Sequence, residues 1–276
     1  MSRLAARGVS PVRPSAGVSR RGVTALLGAA LAGCGGGSDE STIEGSIEGT
    51  GIVSQATGTA YPLNIYRPPA SAGSPGDWPT LFVLDGESWF YTLVNLVEIR
   101  RLRLIVVAVQ TAGQRARDFV PANTCTPGGG GHAAYFDFVR DELVPTIEAS
   151  VGGHPGRRML FGHSHGASFV LYAMFAQAPG AHTFSSYLAC DASLGCMPAA
   201  AAGWEQAYAA AHASLPVHLH LSCASQGNLA VNVAYAAGIA ARGYQGLALA
   251  APVYTGTHGG VVPQALGESI TFGLGA

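Results

Sequence analysis

Ser164 stands in the pentapeptide Gly162-His163-Ser164-His165-Gly166, preceded by the apolar run Met159-Leu160-Phe161 and followed by the apolar stretch 167–178. A buried strand, a sharp turn and a helix around G-x-S-x-G describe a nucleophile elbow, in which the turn lifts the serine hydroxyl above the sheet edge. The pentapeptide alone is weakly specific in so glycine-rich a chain, and its flanks carry the inference. A serine hydroxyl attacks only once a base takes its proton, so a histidine is required. Six follow Ser164: His165, His182, His212, His218, His220 and His258. His258 lies in Thr255-Gly-Thr-His-Gly-Gly260, a flexible loop directly after the last apolar strand run, which is the place for a base reaching back over a sheet edge. His182 and His212 read as solvated residues. His163, His165, His218 and His220 form the alternative, a metal-dependent hydrolase, but show no complete ligand spacing.

The orienting acid is harder to place. Only Asp191, Glu205 and Glu268 follow Ser164, and the order serine, acid, histidine leaves Asp191 and Glu205. Asp191 follows the run Phe184–Leu188 at a strand end and is the candidate acid; Glu205, in an alanine-rich helix, reads as a surface residue. The oxyanion hole needs two backbone donors. The amide of His165 and those of the turn after Thr80–Leu84, Gly86 or Glu87, are the candidates. No cofactor and no metal ion are expected.

The elements that must position these groups alternate between strand and helix. Residues 51–56 and 61–67 read as a hairpin, and Thr80–Leu84 and Leu104–Gln110 as buried strands with a helix, Trp89–Ile99, between them. Thr111–Gly131 is an irregular excursion, and Ala133–Ser150 has helical spacing. After the elbow come strand Phe184–Leu188, helix Ala199–Ala213, strand Val217–Leu221, helix Leu229–Arg242, strand Leu247–Tyr254 and a closing helix from Val262. That alternation predicts an α/β fold with a mostly parallel sheet covered by helices on both faces.

With 276 residues, a net charge of −1 and 11% charged residues, the chain offers neither a basic stripe nor an acidic tail, so nucleic acid is not an expected partner. The first 34 residues read as a twin-arginine-like signal peptide: Arg20-Arg21, a short apolar stretch, then Leu31-Ala-Gly-Cys34, which resembles a lipobox with Cys34 as the lipidated residue. An ordinary signal peptide is the alternative. Residues 35–47 read as a flexible tether and 48–276 as the catalytic domain, giving an exported, periplasmic protein attached to a bacterial membrane through its lipid. Four cysteines remain, Cys125, Cys190, Cys196 and Cys223; an even number in an exported protein favours disulfides. Pairing 190–223 with 125–196 is the favoured arrangement, and four buried thiols the alternative.

Taken together, the segments 80–86 (T-L-F-V-L-D-G), 115–121, 138–148, 158–166 and 257–263 (T-H-G-G-V-V-P) resemble the esterase-D-like esterases of the α/β-hydrolase superfamily, a group with siderophore and feruloyl-type esterases. The resemblance implies ester hydrolysis through an acyl-enzyme, with Ser164 as nucleophile, His258 as base and the Gly86 turn in the oxyanion hole. A small-molecule ester is then the expected partner. Arg115, Arg117 and Asp118 would lie on the excursion near the site, in salt bridges. There is one departure. The family's acid follows the strand matching Val217–Leu221, whereas residues 222–228 here contain no carboxylate. Asp191 takes over, or a Ser–His dyad is oriented by Gln226, Asn228 or a carbonyl, or the protein is a catalytically impaired binder of small ligands.

Overall fold

The computed structural model describes residues 43–275. The expectations on Arg20, Arg21 and Cys34 therefore fall outside the described residues. Along the chain the elements are β1 (Ser46–Val53), β2 (Ala60–Arg67), β3 (Thr80–Val83), α1 (Gly86–Ile99), β4 (Ile105–Val109) and α2 (Arg115–Phe119). Then come α3 (His132–Asp137), a π-helical turn (Phe138–Leu143), α4 (Val144–Ser150), β5 (Arg158–His163) and α5 (His165–Phe175). The rest are β6 (Ser186–Cys190), α6 (Pro198–Ala211), β7 (His218–Gln226), α7 (Leu229–Arg242), β8 (Ala248–Ala250), β9 (Val253–Thr257) and α8 (Val262–Gly273).

The sheet runs in the order β1-β2-β4-β3-β5-β6-β7-β8. β2 pairs antiparallel with β1 on one side and β4 on the other, and β4 through β8 are joined in parallel. Ser46 and Ile47, expected at the end of the tether, already pair with Arg67 and Tyr66 in β1 and β2. The expected strand over 247–254 is two strands. β8 pairs with the first half of β7 and β9 with the second. Pro252, which has no N–H to give a ladder, sits at the break and offers only its carbonyl, to the amide of Cys223.

Alternate residues of the central strands feed two cores. Leu160 of β5 packs with Phe136, Phe169, Tyr208 and Ile239 on the face covered by α3 to α7. Met159 and Phe161 pack with Phe90, Leu93, Leu266 and Ile270 under α1 and α8. The unbroken apolar run 159–161 within β5 is thus the signature of a strand buried on both faces. It places β5, and the residue that follows it, at the centre of the sheet.

The cysteines differ from expectation in part. Cys125 and Cys196 form a disulfide with Cα atoms 5.1 Å apart. Cys190 and Cys223 are free, buried thiols rather than a bridge. In the β6–β7 register Cys190 lies opposite Ser222. Directly paired residues share a face of the sheet, so Cys223, one residue on, points to the other face.

Candidate active site

The carboxyl ends of β3, β5 and β6 and the loop after β9 converge above the sheet. Ser164 sits between β5 and α5 at φ 62°, ψ −119°, a conformation that L-residues rarely adopt. Its amide donates to the carbonyl of Cys190 (3.0 Å), and its carbonyl accepts from the amides of Ser168 (3.1 Å) and Ser193 (3.2 Å). These bonds hold the strained turn between two neighbouring segments. Close approach of strand and helix is required: a Cβ on Gly162 would overlap the backbone of Gly166 and lie 2.9 Å from the amide of Ala167.

Asp191 follows β6, also at positive φ (47°), and is wholly buried. Its carboxylate accepts from the Asn228 amide (3.0 and 3.3 Å) and meets His258 Nδ1 at 2.6 Å. The Asn228 side-chain amide in turn donates to the Asp191 carbonyl at 3.2 Å. Gly227 makes room for this arrangement. A Cβ there would overlap Asp191 Oδ2 and stand 3.0 Å from Asp191 Cγ. Because the carboxylate only accepts, Nδ1 of His258 carries a hydrogen, so the neutral ring has Nε2 bare, the tautomer a general base needs. The two residues expected as acid and base are thereby in contact, although they come from different strand ends.

Ser164 Oγ, by contrast, pairs with Ser193 Oγ at 3.0 Å, and among the described residues no hydrogen bond joins it to His258. Ser193 carried no signal in the sequence. It lies between Asp191 and Cys196, where the disulfide to Cys125 ties the irregular excursion down; the amide of Cys125 donates to the carbonyl of Cys196 at 3.2 Å.

The candidate oxyanion donors sit at two helix starts. Gly86 opens α1 after Asp85, which has left-handed φ and ψ of 54° and 45°. A Cβ on Gly86 would stand 2.8 to 2.9 Å from the backbone of Ala108 and Val109. The first amides of a helix have no intrahelical acceptor and remain free to donate. The side chain of Glu87 turns to Thr111, accepting from its amide at 3.2 Å. His165 opens α5.

Arg115 knits the two helix starts together. It donates to both Asp85 oxygens (2.6 and 3.0 Å), to the His163 carbonyl (3.3 Å) and to His165 Nδ1 (3.1 Å). A guanidinium never accepts, so His165 Nδ1 is the bare nitrogen, and Nε2–H donates to Thr126 Oγ1 at 3.0 Å. Burial pushes the Asp85 carboxyl up against the pull of Arg115, and pushes the His165 imidazole down with help from the same charge. Arg117 pairs with the buried Asp118 at 2.7 Å, which also accepts from Tyr61. Desolvation leads the causes that push the Tyr61 hydroxyl up to about 12.

Several residues lie elsewhere than the sequence suggested. Glu205 is buried, not on the surface, and binds Arg242 (2.7 and 2.8 Å) and the Tyr244 hydroxyl (2.8 Å). That pairing is the reason a carboxylate is tolerated there. His182 is half-buried against Tyr187. His218 and His220 pack against Phe272, and no group of three or more metal-ligating residues occurs among the described residues. In α1, Phe90 is core, Tyr91 is exposed and Trp89 packs T-shaped with the His163 ring, 5.5 Å between centroids.

Similarity to known proteins identifies the family and the fold. Residues 54–238 match the model of the Esterase family, described as "Putative esterase". The segment includes Ser164 and Asp191 and stops short of His258. The chain is 28% identical over 185 residues to the ferri-bacillibactin esterase BesA of Bacillus subtilis, covering 58% of this chain and 62% of that protein. It is 27% identical over 135 residues to the siderophore triacetylfusarinine C esterase of Aspergillus fumigatus, covering 43% and 45%. The matches thus span less than two thirds of either curated relative. Among solved structures, the IroE-like serine hydrolase of Shewanella oneidensis superposes with a TM-score of 0.73 at 23% identity, over 82% of this chain and 79% of that one, which shows a shared α/β-hydrolase fold. The family match covers more than half of the sequence and includes the elbow, and the chain belongs to the Esterase family.

Proposed function

We propose that the protein is a serine esterase that cleaves a carboxylic ester through an acyl-enzyme. Ser164 is the nucleophile, His258 the base, Asp191 the acid, and the amides of His165 and of the Gly86–Glu87 turn hold the oxyanion. In the resting site the Ser164 hydroxyl rests on Ser193. For the reaction the hydroxyl leaves Ser193 for the bare Nε2 of His258, which takes the proton as Oγ attacks the ester carbonyl. The resulting imidazolium is stabilised by Asp191, and its proton then passes to the leaving alkoxide. Water enters, gives a proton to His258 and attacks the acyl carbon; the intermediate expels Ser164 Oγ, which takes that proton back, and the carboxylic acid product leaves.

The observation that carries the reading is the 2.6 Å contact between His258 Nδ1 and the wholly buried Asp191, beside a serine held at positive φ. The names of the curated relatives make siderophore esters the first substrates to assay; aryl and short acyl esters come next. Reaction with a fluorophosphonate probe tests the mechanism. Labelling on Ser164, lost in Ser164→Ala, is expected, and an unlabelled but folded protein overturns it. One observation favours a second reading, a ligand-binding protein on the same fold: Ser164 bonds Ser193 and not His258. That reading predicts ligand binding without turnover of p-nitrophenyl acetate.

The protein is further proposed to be exported and anchored to a bacterial membrane through a lipid on Cys34, on the strength of Leu31-Ala-Gly-Cys34 and the tether after it. Incorporation of labelled palmitate, abolished by Cys34→Ser, is the expected result.

A further inference from the structure

We infer that His163, the residue before the nucleophile, is a positioning residue that fixes the base loop: its Nε2–H donates to the carbonyl of His258 while its ring supports the His258 imidazole. The inference rests on the reading of His258 as the base. The hydrogen bond is 2.9 Å, and the two ring centroids lie 4.4 Å apart at an interplanar angle of 41°.

The loop needs such a restraint. His258 is flanked by Gly256, at φ 153°, and by Gly259 and Gly260, residues with the widest backbone freedom. The hydrogen bonds of its backbone are mostly local: Gly260 and Val261 donate to Thr257, and Val262 donates to Gly259. Besides the β7–β9 ladder, in which Thr257 pairs with Gln226, two ties reach other elements from the backbone, Gly256 N to Ser225 Oγ (3.1 Å) and the His258 carbonyl to His163. Only the second acts at the base itself. Asp191 holds one end of the imidazole, and His163 holds the backbone that carries it. His163 can bear this role because it ends β5, which is paired with β3 on one side and β6 on the other. It is 8% exposed, with Trp89 of α1 edge-on against its ring.

The same contacts bear on the charge of the ring. A carbonyl accepts only, so Nε2 carries the hydrogen. The charged and titratable groups facing His163 are His258, Arg115 and Asp191. Burial, reinforced by His258 and Arg115 and opposed by Asp191 and the bond to the His258 carbonyl, pushes the imidazole down to about 4. His163 therefore stays neutral when His258 becomes an imidazolium, and the developing charge meets no like charge across 4.4 Å.

Two variants and two readouts test the assignment. His163→Phe keeps an aromatic ring without a donor, and His163→Gln keeps an N–H at about the reach of Nε2. His163→Phe is expected to lower kcat on p-nitrophenyl acetate about 10- to 100-fold with KM within about twofold, since loss of precise placement acts on turnover. Amide exchange over 256–261 should speed about tenfold in the same variant, and His163→Gln should restore that protection and much of kcat. Wild-type kcat and wild-type exchange in His163→Phe overturn the proposal. Should His163→Phe fail to fold, His163→Asn, whose amide is too short to reach the carbonyl, is compared with His163→Gln; equal exchange in the two overturns it. The exchange measurement decides the role of His163 even in a protein that turns over no ester, an outcome that refutes the esterase reading instead.

Discussion

The site stands or falls on the absence of a side chain at position 227. Gly227 is not among the glycines at positive φ, so an alanine there costs little in backbone conformation and its effect is steric. The added methyl would overlap Asp191 Oδ2, stand 3.0 Å from Asp191 Cγ and 3.0 Å from Ala224 Cβ, and so has no free side to turn to. The carboxylate must retreat by about 1.4 Å to reach ordinary contact, which stretches the 2.6 Å bond to His258 past the usual hydrogen-bond limit of about 3.2 Å. Loss of the acid in a Ser-His-Asp site typically costs about 10⁴ in turnover, or about 5 kcal/mol of transition-state stabilisation. A carboxylate displaced but still present should cost less, so a fall of about 10²- to 10⁴-fold in kcat is expected for Gly227→Ala. The assay is steady-state hydrolysis of p-nitrophenyl acetate, with circular dichroism and a thermal melt to show that the fold is kept. The double variant Gly227→Ala, Asp191→Asn should be no slower than Asp191→Asn alone, because both lesions break one interaction. A folded Gly227→Ala with wild-type kcat would refute the placement of Asp191 as the acid.

Other outcomes follow from the same contacts. Asp191→Asn should reduce kcat about 10⁴-fold with KM little changed, and an unaltered rate would move the orienting role to Asn228. Removing the disulfide by Cys125→Ser and Cys196→Ser opens a loop with a sequence separation of 71, for which chain entropy gives a loss of up to about 4 kcal/mol, read as a lower Tm. Arg115→Ala leaves Asp85, 5% exposed, without its guanidinium. About 2 kcal/mol of destabilisation is expected in denaturant titration, less than for a fully buried pair because the Arg115 side chain is 36% exposed. His163 and His220 are both pushed by burial from 6.5 down to about 4. The unfolded chain then binds protons that the native state refuses, so stability is intact above about 6.5 and falls as pH drops towards 4, by about 3 kcal/mol per histidine. A melt series over that window should show the decline, shallower in His220→Asn; a flat profile would contradict the burial argument.

What was legible in the sequence is local. The elbow reads directly from Gly162, where the close approach of the Gly166 backbone admits no side chain, and α7 spans Leu229–Arg242 as its periodicity indicates. The loop bearing His258 is marked by its glycines and by the strand before it. Where an element is set by distant pairing, the reading slips. The expected strand Phe184–Leu188 is displaced to Ser186–Cys190 by its register with β5 and β7, and that register also turns Cys190 and Cys223 to opposite faces. Glu205 reads as surface because its partner Arg242 is a whole β–α unit away along the chain.

Composition and spacing by themselves determined the α/β alternation, the elbow and the candidate residues, since each depends on neighbours within a few positions. Tertiary structure alone decided which of them meet. Asp191 reaches His258 because the chain end of β6, the bare position at 227 and the loop after β9 converge in space, 67 residues apart along the chain. Ser193 beneath the nucleophile and His163 beneath the base became visible only there, because a serine or a histidine carries no mark of its partner until folding supplies one.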